Sequence, residues 1–291
     1  MIGLTIGLAV FVGIALGLLG GGGSILTVPL MAYVAGMDAK QAIATSLLVV
    51  GVTSAIGAIS HARAGRVQWR TGLIFGAAGM AGAYGGGLLA RFIPGTVLLI
   101  GFAVMMVATA VAMLRGRKNV ETAGGAHRLP VPKIIAEGLV VGLVTGLVGA
   151  GGGFLVVPAL ALLGGLPMPI AVGTSLIVIA MKSFAGLGGY LSSVQIDWSV
   201  ALAVTGAAVV GALVGARLTA MVNPDSLRKA FGWFVLAMSS VILGQEIHLG
   251  VGIAGATLTA IAATMSVACT RYAHCPLRRL TGVSASGGAA A

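Results

Sequence analysis

Charge is the first thing this chain lacks. Charged residues fill 8% of its 291 positions, against about 25% in soluble domains. That is too little polar side chain to cover a water-facing surface. Acids are scarcer still, with six Asp and Glu in all, and the four histidines are scattered. The two cysteines, Cys269 and Cys275, stand near the C-terminus at a spacing that fits no metal or redox pair. No disulfide framework, metal site or cofactor is expected. No lysine follows a glycine, so there is no Walker A loop, and neither an HExxH helix nor a Ser/His/Asp signature occurs. These absences disfavour an ATP-driven pump and a membrane hydrolase, and the protein is not expected to be an enzyme. No lysine or arginine precedes Lys40, so a secretory signal with a charged start is not supported. The first apolar segment is expected to stay in the mature protein.

What is present is apolar surface and glycine. Hydrophobic residues make up 58% of the chain, and 48 positions are glycine. Leu98–Leu114, Ile134–Val148, Val200–Val222 and Val251–Cys269 approach or exceed the ~20 apolar residues that cross a bilayer. Abundant glycine in such runs lets helices pack backbone to backbone in lipid. Alternation at period two is missing, which argues against a transmembrane β-barrel. An all-α polytopic integral membrane protein is expected, multi-pass in the cytoplasmic (inner) membrane. The net charge of +11 does not imply nucleic acid, because the basic residues lie in short loops between apolar spans. The expected partners are the lipid bilayer and a small anionic substrate. A homodimer is one assembly open to such a chain.

A shift of 129 residues aligns the chain with itself. Gly17-Leu18-Leu19-Gly20-Gly21-Gly22-Gly23 falls on Gly146-Leu147-Val148-Gly149-Ala150-Gly151-Gly152. Pro29 falls on Pro158, Thr45-Ser46-Leu47 on Thr174-Ser175-Leu176, and Trp69 on Trp198. From Gly17 to Leu47, 14 of 31 positions are identical. The small-xxx-small pairs also coincide: Gly13 and Gly17 with Gly142 and Gly146, Gly82 and Gly86 with Gly211 and Gly215. Two repeats follow, at about 1–114 and 134–245, joined by a basic linker at 115–133. An extra span and a tail occupy 246–291.

Matching loops differ in charge. The loop at 61–70 carries Arg63, Arg66 and Arg70, whereas 190–199 carries no basic residue. The positive-inside rule puts the first in the cytoplasm and the second outside. The loops at 115–133 and 217–229 and the tail after 270 join the first, and these cytoplasmic stretches collect 14 of the 17 basic residues. Such a layout requires the first element of each repeat to begin and end on one side. Ser24–Gly36 is 13 residues, about 20 Å as helix, too short to cross ~30 Å of hydrocarbon. The expectation is two inverted repeats whose glycine-broken first elements re-enter the membrane, with one extra C-terminal transmembrane helix. The alternative is that Ile2–Leu19 spans, which would make the repeats parallel. Broken elements meeting near the midplane form the site in many secondary transporters.

The doubled motif, Gly17 to Ser24 with Pro29, then Ala42, Thr45, Ser46 and Leu47, and its second copy from Gly149 to Pro158 with Ala171, Thr174, Ser175 and Leu176, closely resembles the TauE/SafE sulfite-exporter family. The likeness runs to about residue 245. It implies a permease for sulfur oxyanions or organosulfonates. The tail Cys275-Pro276-Leu277-Arg278-Arg279-Leu280-Thr281-Gly282-Val283 is similar to the end of the membrane domain attached to some rhodaneses, which implies a link to sulfur metabolism.

Substrate-binding candidates follow from the chemistry of broken helices. A break leaves backbone N–H groups unpaired at a positive helix end, and glycine lets an anion reach them. Gly21, Gly22, Gly23 and Ser24, with Gly151, Gly152 and Gly153, are therefore candidates. Close helix packing is the other use of such glycines. Thr45, Ser46, Thr174 and Ser175 lie about two turns into the next helices, where their hydroxyls meet either substrate oxygens or neighbouring backbone. Lys182 is the lone basic residue well inside a span, and its repeat partner is Thr53. An intramembrane charge is costly and marks a functional position. An anion leaving a negative interior gains ~2.3 kcal/mol per charge per 100 mV, so a secondary exporter needs no coupled ion. An anion channel on the same scaffold, or a membrane component that senses or assembles without transport, are the alternatives.

Overall fold

The computed structural model describes residues 2–19, 22–114, 131–149, 168–218 and 224–271, with single positions at 156, 160 and 166. No strand occurs among them. The long helices are α1 (Ile2–Leu19), α2 (Ala39–Arg63), α3 (Trp69–Ala90), α4 (Gly95–Leu114), α5 (Val131–Val148), α6 (Met168–Leu191), α7 (Trp198–Leu218), α8 (Pro224–Glu246) and α9 (Leu249–Arg271). By length and composition, α2, α3, residues Ile170–Leu191 of α6, and α7 are long and apolar enough to cross a membrane. Large apolar side chains such as Phe11, Leu73, Val140, Leu202 and Val210 stay exposed along these helices, as expected of surfaces facing lipid rather than water. Trp69 and Trp198, which open α3 and α7 at matching repeat positions, are both about half exposed.

Local chemistry sets the helix ends. Asp38 caps α2, its carboxylate accepting from Lys40 N at 3.2 Å. Asp197 caps α7 by accepting from Ser199 N at 3.0 Å. Gly36, Gly65 and Gly149 adopt φ of 68°, 66° and 73°, a left-handed conformation that only glycine reaches cheaply. Between α1 and α2 the chain takes a bent course. It runs through a 3-10 turn (Gly22–Leu26), a single α turn (Thr27–Pro29) and a π turn (Leu30–Val34). Pro29 has no N–H to give and crowds the carbonyl four residues back. The hydrogen bonds widen just after it, with Ala35 N reaching Leu30 O at 3.0 Å.

The chain divides into two compact units, one within Met1–Phe102 and Gly124–Pro224, the other within Ala103–Ala123 and Asp225–Ala291. In the second unit Gly232 of α8 meets Leu114 of α4, and Gly244 of α8 meets Gly252 of α9.

The first unit is held by crossed glycine contacts. A methyl group added at Gly13 or Gly17 of α1 would overlap the carbonyls of Ala208 or Ala212 on α7. One added at Gly211 or Gly215 of α7 would overlap Val10 or Ile14 of α1. The same four contacts recur 129 residues away. Gly142 and Gly146 of α5 press on Gly79 and Ala83 of α3, while Gly82 and Gly86 of α3 press on Leu139 and Leu143 of α5. Each repeat thus clasps its first helix to the other repeat's third. In both pairs residue numbers rise together, so α1 runs parallel to α7 and α5 parallel to α3. Helices α3 and α6 are also parallel, with Gly72 against Thr174 and Gly87 against Gly189. Helices α2 and α6 are antiparallel, with Gly51 against Phe184 and Gly57 against Leu176.

Candidate functional site

Lys182 lies 14 residues into α6, a depth of about 21 Å along the helix. It is 2% exposed. Its stem passes Gly79 of α3, where a Cβ would stand 3.9 Å from Lys182 Cβ and Cδ. The ammonium carries three donors, and Nζ donates one to Thr145 Oγ1 of α5 at 3.2 Å. Thr145 in turn donates to Val141 O at 2.7 Å. No carboxylate pairs with Lys182 among the described residues. The neighbouring Ser183 Oγ is buried without a hydrogen-bond partner. This group of α5 and α6 residues lies one turn from the second glycine run, since Thr145 precedes Gly149 by four positions.

The hydroxyl candidates divide into engaged and free. Ser46 Oγ lies 2.7 Å from Ile43 O and 2.9 Å from Gly149 O, so it ties α2 to the end of α5. Thr174 Oγ1 accepts from Gln68 N at 2.9 Å, holding the start of α3 against α6. Ser175 Oγ bonds back to Val172 O at 2.7 Å. Thr45 differs from its repeat partner Thr174. Its Oγ1 is buried and unpartnered, and it lines a cavity. Ser24 is fully buried, and its carbonyl accepts from Thr27 Oγ1 at 2.7 Å. Gly22 and Gly23 begin the 3-10 turn. Gly21, Gly151, Gly152 and Gly153, like Pro158 and the C-terminal tail, lie outside the described residues.

Two cavities open beside these helices. One, of about 220 Å³, lies among the starts of α1, α2 and α7, with Thr5, Gln41, Thr45 and Asp197 in its wall. Ala35, Gly36 and Met37, just before α2, line it as well. The other, of about 420 Å³, lies where α1, α2 and α7 end. Its wall holds Leu16, Gly17, Thr53 and Ser54, and its basic residues are His61, Arg66 and Arg217. No acid lines it.

The sequence profile described as "Sulfite exporter TauE/SafE" matches residues 5–242. The chain belongs to the TauE/SafE family. It is 35% identical over 253 residues to a "probable membrane transporter protein" of Xylella fastidiosa strain Temecula1, covering 84% of this chain and 95% of that protein. It is 28% identical over 226 residues to the "probable membrane transporter protein YdhB" of Bacillus subtilis, covering 75% and 90%. No solved structure matches. As a TauE/SafE chain this is a membrane transporter. The family match ends before α9, which therefore lies beyond the shared region.

Sequence reasoning treated Arg66 and Arg217 only as markers of topology. They stand 151 positions apart, and only the packing of α7 on α1 and α2 brings them to one cavity. Ser54 and His61 carried no motif signal. Their distinguishing property is that Ser54 Oγ and His61 Nδ1 are buried without a hydrogen-bond partner.

Proposed function

We propose that this TauE/SafE protein is a secondary permease that exports small sulfur anions, such as sulfite or an organosulfonate, across the cytoplasmic membrane. The observation that carries the reading is Lys182: a buried amine hydrogen-bonded to the hydroxyl of Thr145, one turn before Gly149, and paired with no acid among the described residues. A buried lysine either sheds its proton or meets an anion. In a family of transporters, a transient anion is the natural partner. Gly22, Gly23 and Ser24 with Gly151, Gly152 and Gly153 supply backbone donors to the substrate, and Thr45 contributes a free hydroxyl. Ser46, Thr174 and Ser175 contribute less, because their oxygens are already engaged.

The scaffold is read as two inverted repeats with re-entrant first elements. Three features support this. Equivalent helices α2 and α6 are antiparallel. The parallel pairs α1 with α7 and α5 with α3 carry the inversion to the remaining helices. Thr5 at the start of the first element and Ala35–Met37 at its end line one cavity. The electrical gradient favours outward movement of an anion by ~2.3 kcal/mol per charge per 100 mV.

Thermal stability in detergent tests the site. The ligands are sulfite, thiosulfate, sulfoacetate, taurine, acetate and simple cations. A ligand at 100 times its Kd stabilises by ~2.7 kcal/mol. The expected result is a shift with one sulfur anion that Gly22→Leu abolishes. A shift with acetate or cations alone would refute the sulfur-anion assignment.

A further inference from the structure

We propose that the 420 Å³ cavity at the ends of α1, α2 and α7 is a vestibule that loads a small oxyanion from the cytoplasm. Arg66 and Arg217 attract the anion, and the Ser54 hydroxyl receives it. The inference rests on the reading of the protein as an anion exporter, and it names a binding locus separate from Lys182.

Four observations carry it. The cavity wall has two guanidinium groups, those of Arg66 and Arg217, and no acid among the described residues, so the potential inside it is positive and focused by low-dielectric walls. Ser54 is 2% exposed, lines the cavity, and its Oγ has no partner. His61 Nδ1 is likewise buried and unpartnered. Buried polar groups are almost always satisfied, so two orphans on one cavity wall mark a place where something polar binds. Leu16 and Gly17 of α1, which precede the run Gly20 to Gly23 in sequence, also line the cavity. An anion held here has reached the neighbourhood of the first break.

The fourth observation is the contrast between the repeats. The positions equivalent to Thr53, His61 and Leu213 are Lys182, Tyr190 and Tyr84. All three are larger, and Lys182 and Tyr190 are fully buried. The equivalents of Arg66 and Arg217 are Gln195 and Leu88, both uncharged. The cationic rim, with Arg66 from the first repeat and Arg217 from the second, therefore has no repeat-related copy and is no by-product of duplication. The smaller cavity at the opposite helix ends has Asp197 in its wall and no base among the described residues. An anion is drawn to one end and repelled at the other. The positive-inside rule places the attracting end in the cytoplasm.

The test uses the full-length protein in proteoliposomes of defined orientation, with sulfite supplied at each face in turn. Arg217→Gln is expected to raise the half-saturating concentration at the cytoplasmic face about tenfold, and Ser54→Ala about threefold to tenfold. The value at the outer face stays unchanged. Arg217→Gln also flattens the dependence on ionic strength. Arg63→Gln and Arg70→Gln, basic residues of the same loop outside the cavity wall, leave all values unchanged. Sulfite export with wild-type half-saturation in both Arg217→Gln and Ser54→Ala would overturn the vestibule while leaving the export reading intact. If the wild type moves no sulfur anion, but both substitutions weaken phosphate binding in a thermal-shift assay, the vestibule stands and the export reading falls. If no anion binds the wild type at all, both fall.

Discussion

At Lys182 an amine with three donors meets a single described hydroxyl, that of Thr145. Replacing a buried charge with an apolar side chain of similar length is often neutral or stabilising. Lys182→Met is therefore expected to melt no lower than the wild type, while losing the thermal shift given by the transported anion. A large drop in melting temperature would instead make Lys182 a structural group. Thr174 carries the opposite expectation. Its Oγ1 accepts the Gln68 N–H, and Thr174→Val leaves that donor without its partner. Interhelical hydrogen bonds in membranes are worth about 0.6 kcal/mol on average and up to about 1.7. Thr174→Val should therefore cost about 1 kcal/mol in an unfolding titration. Thr45→Val, which removes no bond, should cost less than half of that. Equal losses at the two positions would show that the difference between Thr45 and Thr174 has no energetic meaning.

At the level of elements, the crossed clasp makes a pairwise prediction. Gly13→Leu and Gly142→Leu push side chains into the carbonyls of Ala208 and Gly79, and Gly82→Leu and Gly211→Leu into those of Leu139 and Val10. Backbone cannot rotate away as a side chain can, so each change is expected to cost at least the 1–3 kcal/mol typical of overpacking. Repeat-related variants should fall by similar amounts in a melting assay. Loss at Gly13 with tolerance at Gly142 would contradict the exchange of helices between repeats. The inversion itself is checked by labelling in a chain freed of Cys269 and Cys275. Ser192→Cys should react with an impermeant maleimide from outside and Ala64→Cys from the cytoplasm. Labelling of both from one side would make the repeats parallel. Much of this layer was legible beforehand. The offset of 129, the small-xxx-small glycines and the Asp38 cap all emerge from the sequence, because each depends on spacing along one segment. Which helix each glycine stripe faces was not legible. A stripe of small residues shows that something approaches closely, but not whether α1 meets α5 or α7.

The whole molecule is asymmetric where its scaffold is symmetric. The clasp contacts repeat faithfully, yet the cationic cavity between the repeats has no copy, and the positions equivalent to its Thr53 and His61 are filled by Lys182 and Tyr190. That asymmetry was hidden in the sequence. Arg66 lies in the loop after α2 and Arg217 in the last turn of α7, and both serve the topology rule equally well wherever they point. The glycine runs at the centre of the proposed site were the most visible feature of the chain, and they fall largely outside the described residues. The central claim is that this fold moves a sulfur anion outward. Efflux of labelled sulfite from proteoliposomes under an inside-negative potential tests it most directly. Saturable efflux that rises with the potential and is lost in Lys182→Met is the predicted result. Efflux that does not saturate would indicate a channel. Its absence for sulfite, thiosulfate and sulfonates alike, in protein that folds normally, would contradict the account.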